Sequence, residues 1–292
     1  MCPVGNDGGA DAGPAAELLG TLLDAPMGLA VCDDHVYVVV GGDRIFDLSG
    51  DGGSTELTLL PTPAAGGLAC RGGELYVGLR SDGVLPGTLI RRELDGSVSE
   101  LAANVEPGRG IDVDDAGTVL WPSIADGGSV LTRTDPDGST ALGPVDDSPV
   151  AWPFSRGAGG LYTITSGALV GLSGDAQAPI LGPDASLFAV AVDDGVSVLG
   201  RGDASTSFHV LEDGGIGASL AVLPSARAMV RYGVDTYVAT DTTIVRLADD
   251  GSQVMVVNDQ LHILDLVVLG AWVYWTTLGD GSTPASVYRA KR

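Results

Sequence analysis

GLAVCDDHVYV (residues 28–38) and GLACRGGELYV (residues 67–77) are two versions of one phrase, 39 residues apart. Each opens on Gly-Leu-Ala and closes on an apolar-Tyr-Val strand start. Each is broken in the middle by a pair of turn formers, Asp33-Asp34 in the first and Gly72-Gly73 in the second. Alternating apolar strands joined by such a tight turn read as a hairpin.

The phrase continues along the chain. Aligning on Tyr37, Tyr76, Leu120, Tyr162, Ser197, Tyr237 and Tyr274 gives gaps of 39, 44, 42, 35, 40 and 37 residues. An apolar strand precedes each anchor (GLAV, GLAC, GIDV, FAVAV, LDLVVL). A third strand follows it (RIFDLS, TLIRREL, SVLTRTD, ALVGLS, SFHVLE, TIVRLA, SVYRAK), then in nearly every unit a Gly turn and a fourth strand. Four short strands per unit of about 40 residues is the period of a propeller blade. The expected fold is all-β: a seven-bladed β-propeller of four-stranded antiparallel blades. Six blades is the alternative, should the fourth or fifth unit be a false repeat. The last unit stops after its third strand, and ELLGTLL (residues 17–23) precedes the first unit where a fourth strand belongs. This N-terminal strand is expected to complete the last blade and remove the open edges. Residues 1–15 read as a flexible tether and 16–292 as one propeller domain.

Composition limits the partners. The 15 basic residues, of which Lys291 is the one lysine, face 38 acidic ones, for a net charge of −23. Such a surface repels nucleic acid and anionic lipid headgroups. No run of 18 apolar residues encodes a transmembrane helix. The Gly/Ala/Asp/Pro-rich start MCPVGNDGGADAGPAAE resembles a mature bacterial lipoprotein, with Cys2 as the lipidation candidate and Met1 standing where a signal peptide was removed. Cys32 and Cys70 hold near-equivalent places in the two opening phrases. They either form a disulfide, which suits an oxidising compartment, or remain two buried thiols. The expected location is the periplasm or the bacterial cell surface, and the expected state is a monomer.

Pro26-Met27-Gly28-Leu29-Ala30 followed by HVYV resembles the NHL and gluconolactonase-like propellers, and the closing VYWTT…SVYRA is similar to propeller lipoproteins of myxobacterial type. That resemblance implies a fold, with a site at one mouth of the central channel. Gluconolactonase-like hydrolases hold a divalent metal with channel acids and amides, including a glutamate ahead of the first inner strand. Here that place reads DAPMG, and Asn104 and Asn258 are the asparagines outside the tether. Lyases of the virginiamycin type rely on channel histidines; His35, His209 and His262 show no metal-ligand spacing.

Candidate ligand-binding residues lie before the first strand of a blade (Arg109, Trp152, Arg227, Asp265) or after the second (Arg80, Arg201, Asp241, Trp275). Arg109 and Arg227, at matching places in blades three and six, suit a carboxylate or phosphate, or else pair with neighbouring aspartates. Trp152 and Trp275 suit a planar ligand face or blade packing. No catalytic residue and no cofactor is expected. The metal alternative is calcium or another divalent cation, in the Asp-rich turns at 47–54 and 135–139 or on Asp112 and Asp265. The leading reading is a non-catalytic binding or scaffold propeller for a protein, a glycan or a small anionic ligand. The other is a metal-dependent hydrolase or lyase of the gluconolactonase-like group.

Overall fold

The computed structural model describes residues 15–48, 54–125, 128–135, 137–145, 154–157, 160–173, 176–180, 186–201, 205–212, 215–280 and 282–292. Their strands form seven antiparallel sheets. The sheets stand around one axis as blades. The seven inner strands are Pro26–Cys32, Ala64–Arg71, Asp112–Val113, Phe154–Gly157, Ser186–Val192, Ala226–Tyr232 and Ile263–Leu269. No helix among the described residues is long and apolar enough to cross a membrane. Seven blades, not six, are present, and the fourth and fifth units are both true blades. The outer strand of blade five is broken into Gly215–Ile216 and Ala221–Leu223, with His209 buried at the break and bonded to the Gly217 carbonyl at 3.0 Å.

The ring closes as the repeat predicts. Glu17–Leu22 pairs with the C-terminal strand Ala285–Lys291, Glu17 against Arg289 and Leu22 against Ala285. Arg289 grips Glu17 through two bonds of 2.8 Å. That ion pair is half exposed, so the backbone ladder and the buried Leu19 and Leu22 do most of the closing.

Each blade is a twisted sheet with two apolar faces, and each face must be covered by a neighbour. Seven buried clusters result, one per junction. The aromatic anchors explain the spacing of the repeat: Tyr37, Tyr76, Tyr237 and Tyr274 fill the junction on the side of the following blade. A second device recurs without a sequence signature. Five outer strands carry a β-bulge at one position, and the extra residue is always Leu or Val: Leu19, Leu57, Leu101, Leu142 and Val256. Each bulge turns its apolar side chain into the junction. Leu19 carries the bulge too, which marks the N-terminal strand as an ordinary fourth strand.

Blade five has Ser197 where the anchor aromatic should be, and blade six supplies what is missing. The Arg231 side chain, 2% exposed, donates to Ser197 Oγ at 2.7 Å and binds Asp249 through two bonds of 2.8 Å. A Cβ at residue 195 would lie 2.6 Å from Arg231 Nη2, so Gly195 is the residue that admits the guanidinium. Between blades one and two, Cys32 and Cys70 are joined by a disulfide, with Cα atoms 6.0 Å apart.

Asp249→Ala removes the counter-charge of a buried guanidinium and should lower unfolding stability by about 3 kcal/mol. A urea midpoint unchanged from the parent would show that Arg231 is not held as described.

Candidate functional site

The upper face is the one at which the inner strands begin. The same register slip recurs there in blades one, five, six and seven, leaving Met27, Phe188, Arg227 and Leu264 as extra residues near the start of the inner strand. A bulge breaks the in-out alternation and re-aims a side chain. Three of the four, Met27, Arg227 and Leu264, line a cavity of about 260 Å³ along the axis. Its other aliphatic wall residues include Val190, Met229 and Leu266, and its charged lining residues are Arg109, Arg227, Asp265 and Arg231, the last with its guanidinium buried in the junction of blades five and six.

Asp265 is the buried acid of this cavity. Its Oδ2 accepts the Leu29 N–H of blade one at 3.0 Å, and its Oδ1 accepts the Leu266 N–H at 2.9 Å. The residue as a whole is part-exposed, but protein closely surrounds its carboxyl group. Burial raises its pKa to about 6, against the lowering pull of the two backbone donors and of Arg109. The carboxyl therefore also ties blade seven to blade one across the closure.

Arg227 and Arg109 stand at the rim. Arg227 Nη2 lies 3.4 Å from Asp241 Oδ1, which also bonds His262 Nδ1 at 3.2 Å. All three side chains are close to half exposed, so this network is weak and open to exchange with a ligand. Arg109 is exposed, lines the cavity and acts on the Asp265 charge.

The remaining candidates lie apart from this group. Trp275 is a correction: it is fully buried between blades six and seven, stacked on Tyr288 at 5.6 Å and bonded to Gln260 Oε1 at 3.1 Å, so it packs blades and presents no ring to a ligand. Arg201 lies over the Phe188 ring at 5.3 Å, and Arg80 is exposed on the loop after the second strand of blade two. Neither lines the cavity. Trp152 and Cys2 fall outside the described residues. Asp112 does not converge with Asp265. It faces Leu120 across its ladder, nearer the lower face, and accepts Arg156 Nε at 2.9 Å. Among the described residues no three His, Cys, Asp or Glu side chains gather as a metal group. In the Asp-rich turns, Asp47 bonds His35 at 2.7 Å and Asp135 lies 3.5 Å from Arg133. Residues 49–53 and 136 are outside the described set.

Sequence reasoning missed the aliphatic walls and Arg231.

No family model matches the chain, and no curated protein does. Solved structures do. A catalytically inactive virginiamycin B lyase from Staphylococcus aureus, with quinupristin, superposes with a TM-score of 0.70 at 14% identity, over 95% of this chain and 99% of that one. YCF48 bound to D1 peptide gives 0.66 at 13%, over 97% and 96%. A gluconolactonase from Xanthomonas campestris gives 0.61 at 13%, over 96% and 90%. At these identities the likeness is one of fold: this chain is a β-propeller of the kind that the NHL and gluconolactonase-like resemblance implies.

Followed by NMR, the Asp265 carboxyl should titrate with a midpoint of about 6. Arg109→Ala removes a nearby positive charge and should move that midpoint upward. A midpoint near 4 in the parent, or a downward move in the variant, would contradict this description.

Proposed function

We propose that the protein is a non-catalytic binding propeller whose ligand is a small molecule with an apolar body and a carboxylate head, taken at the upper mouth of the channel. One observation carries the reading: an aliphatic axial cavity of about 260 Å³ has two guanidiniums, Arg109 and Arg227, at its rim. Cavities lined by aliphatic groups with a few placed polar groups favour small ligands. The planar fork of arginine matches a carboxylate bidentately, and the Arg227–Asp241 pairing that a ligand would displace is an exposed one. A dianionic phosphate fits less well, because ionised Asp265 sits in the same cavity wall.

Asp265 also sets the pH response. A carboxylate ligand is repelled by ionised Asp265 and accepted when that group is protonated. Affinity is therefore expected to rise as pH falls through about 6.

We place the protein at the bacterial envelope, anchored through Cys2. Support comes from the lipoprotein-like start and from the Cys32–Cys70 disulfide, which suits an oxidising compartment. The hydrolase or lyase reading has less behind it: Asp112 is held by Arg156, and Asp265 by two backbone donors.

Calorimetry with octanoate, octanol and octylamine tests the binding reading. Octanoate should bind best and tighter at pH 5.5 than at 7.5, and Arg109→Ala and Arg227→Ala should each weaken it about tenfold, the loss of roughly one charge-assisted bond. Preference for octylamine, or indifference to both substitutions, would refute it.

A further inference from the structure

In four blades the residue paired with the anchor across the second and third strands is an arginine. The pairs are Tyr76 with Arg91, Leu120 with Arg133, Tyr237 with Arg246 and Tyr274 with Arg289. Blade two shows the full arrangement. The Tyr76 ring is buried in the junction, its hydroxyl donates to Glu74 at 2.9 Å, and Arg91 stands between Glu74 and Glu93 at 3.9 and 2.8 Å.

Blade three keeps the frame and lacks the ring. Arg133 lies 3.5 Å from Asp135, as Arg91 does beside Glu93, and Thr118 occupies the place of Glu74, two residues before the anchor. The anchor itself is Leu120. Where five of the other six blades hold a phenol, a cleft of about 350 Å³ opens between blades three and four. Buried Leu120 forms its floor, and the part-buried Leu142, Leu161 and Leu172 its walls. Arg156 lines it as well. Its Nε and Nη1 are taken by Asp112 and Asp114 at 2.9 Å each, while its buried Nη2 has no acceptor among the described residues. That nitrogen is shut off from the cleft. The cleft itself is open, and its lining joins four leucines to the polar Asp114, Thr118, Arg133, Asp135 and Arg156, the apolar surface with a few placed polar groups that suits a small ligand.

We propose that the junction between blades three and four is a second ligand site, separate from the axial cavity, for a free p-hydroxyphenyl compound. The ring lies over Leu120 and replaces the missing tyrosine. The hydroxyl oxygen accepts from the half-exposed Arg133, which stands beside Asp135 at the place that Arg91 holds beside Glu93 in blade two.

The test is a titration of the full chain, with leucine methyls labelled for NMR, using p-cresol and, for comparison, toluene and a tyrosine-containing tripeptide. Shifts are expected at Leu120, Leu142, Leu161 and Leu172 and not at Leu264 of the axial cavity, with toluene at least about tenfold weaker because it brings no oxygen. Leu120→Tyr supplies the ring from within; it should melt no lower than the parent and lose p-cresol binding. The shift map of the unsubstituted protein decides the matter even if that variant does not fold. No shift at these methyls, shifts confined to Leu264, equal binding of toluene, binding by the peptide alone, or p-cresol binding retained in folded Leu120→Tyr would each overturn the proposal.

Discussion

A blade cannot bury its own faces, and that constraint governs the whole molecule. Each four-stranded sheet is apolar on both sides and stays so only because another sheet lies against it. In an open stack the two ends would remain uncovered; in a ring every face has a neighbour. The stability of any one blade therefore depends on the quality of two junctions, and the junctions differ. One is crossed by a disulfide, one by a buried guanidinium with its aspartate, one by Arg156 reaching to Asp112 and Asp114, and the closing one by Asp265 accepting the Leu29 N–H. The repeat sets a common frame, and the variation among junctions is where this chain acquires particular properties.

The frame was legible because it rests on short-range pattern. Strand alternation, turn residues and the spacing of Tyr37, Tyr76, Tyr237 and Tyr274 are all local, and together they give blade number and closure. The bulges were not legible. Leu57, Leu101 and Val256 look like ordinary strand residues, and their inward turn follows from register, which depends on the partner strand. Arg231 shows the same limit. Ser197 in an aromatic place signals that something else must fill the space, but not that a guanidinium from the next blade does so.

The candidate site was half legible. Arg109, Arg227 and Asp265 were found by their place at the start of inner strands and do line one cavity. Trp275 was chosen by the same rule applied after the second strand, and it fails because side chains there alternate between the two junctions rather than toward the axis. The walls of Met27, Val190 and Met229 carry no chemical signature, since an aliphatic residue looks alike in a core and in a pocket. Departures from the repeat proved as informative as the repeat itself: Ser197 and Leu120 both break the tyrosine pattern, and the first gap is filled from within while the second is left open.

The closing pair also has a consequence for how the chain is made. Glu17 and Arg289 are 272 residues apart, so their contact cannot form until the propeller's last strand has left the ribosome. Until then the first strand has no partner and the early blades present one bare face. Cys32 and Cys70, separated by 38 residues, come within reach after only two blades have emerged. For an exported chain, their covalent link would hold the first junction together through the interval in which the ring is still a growing arc, long before the last strand arrives to seal it.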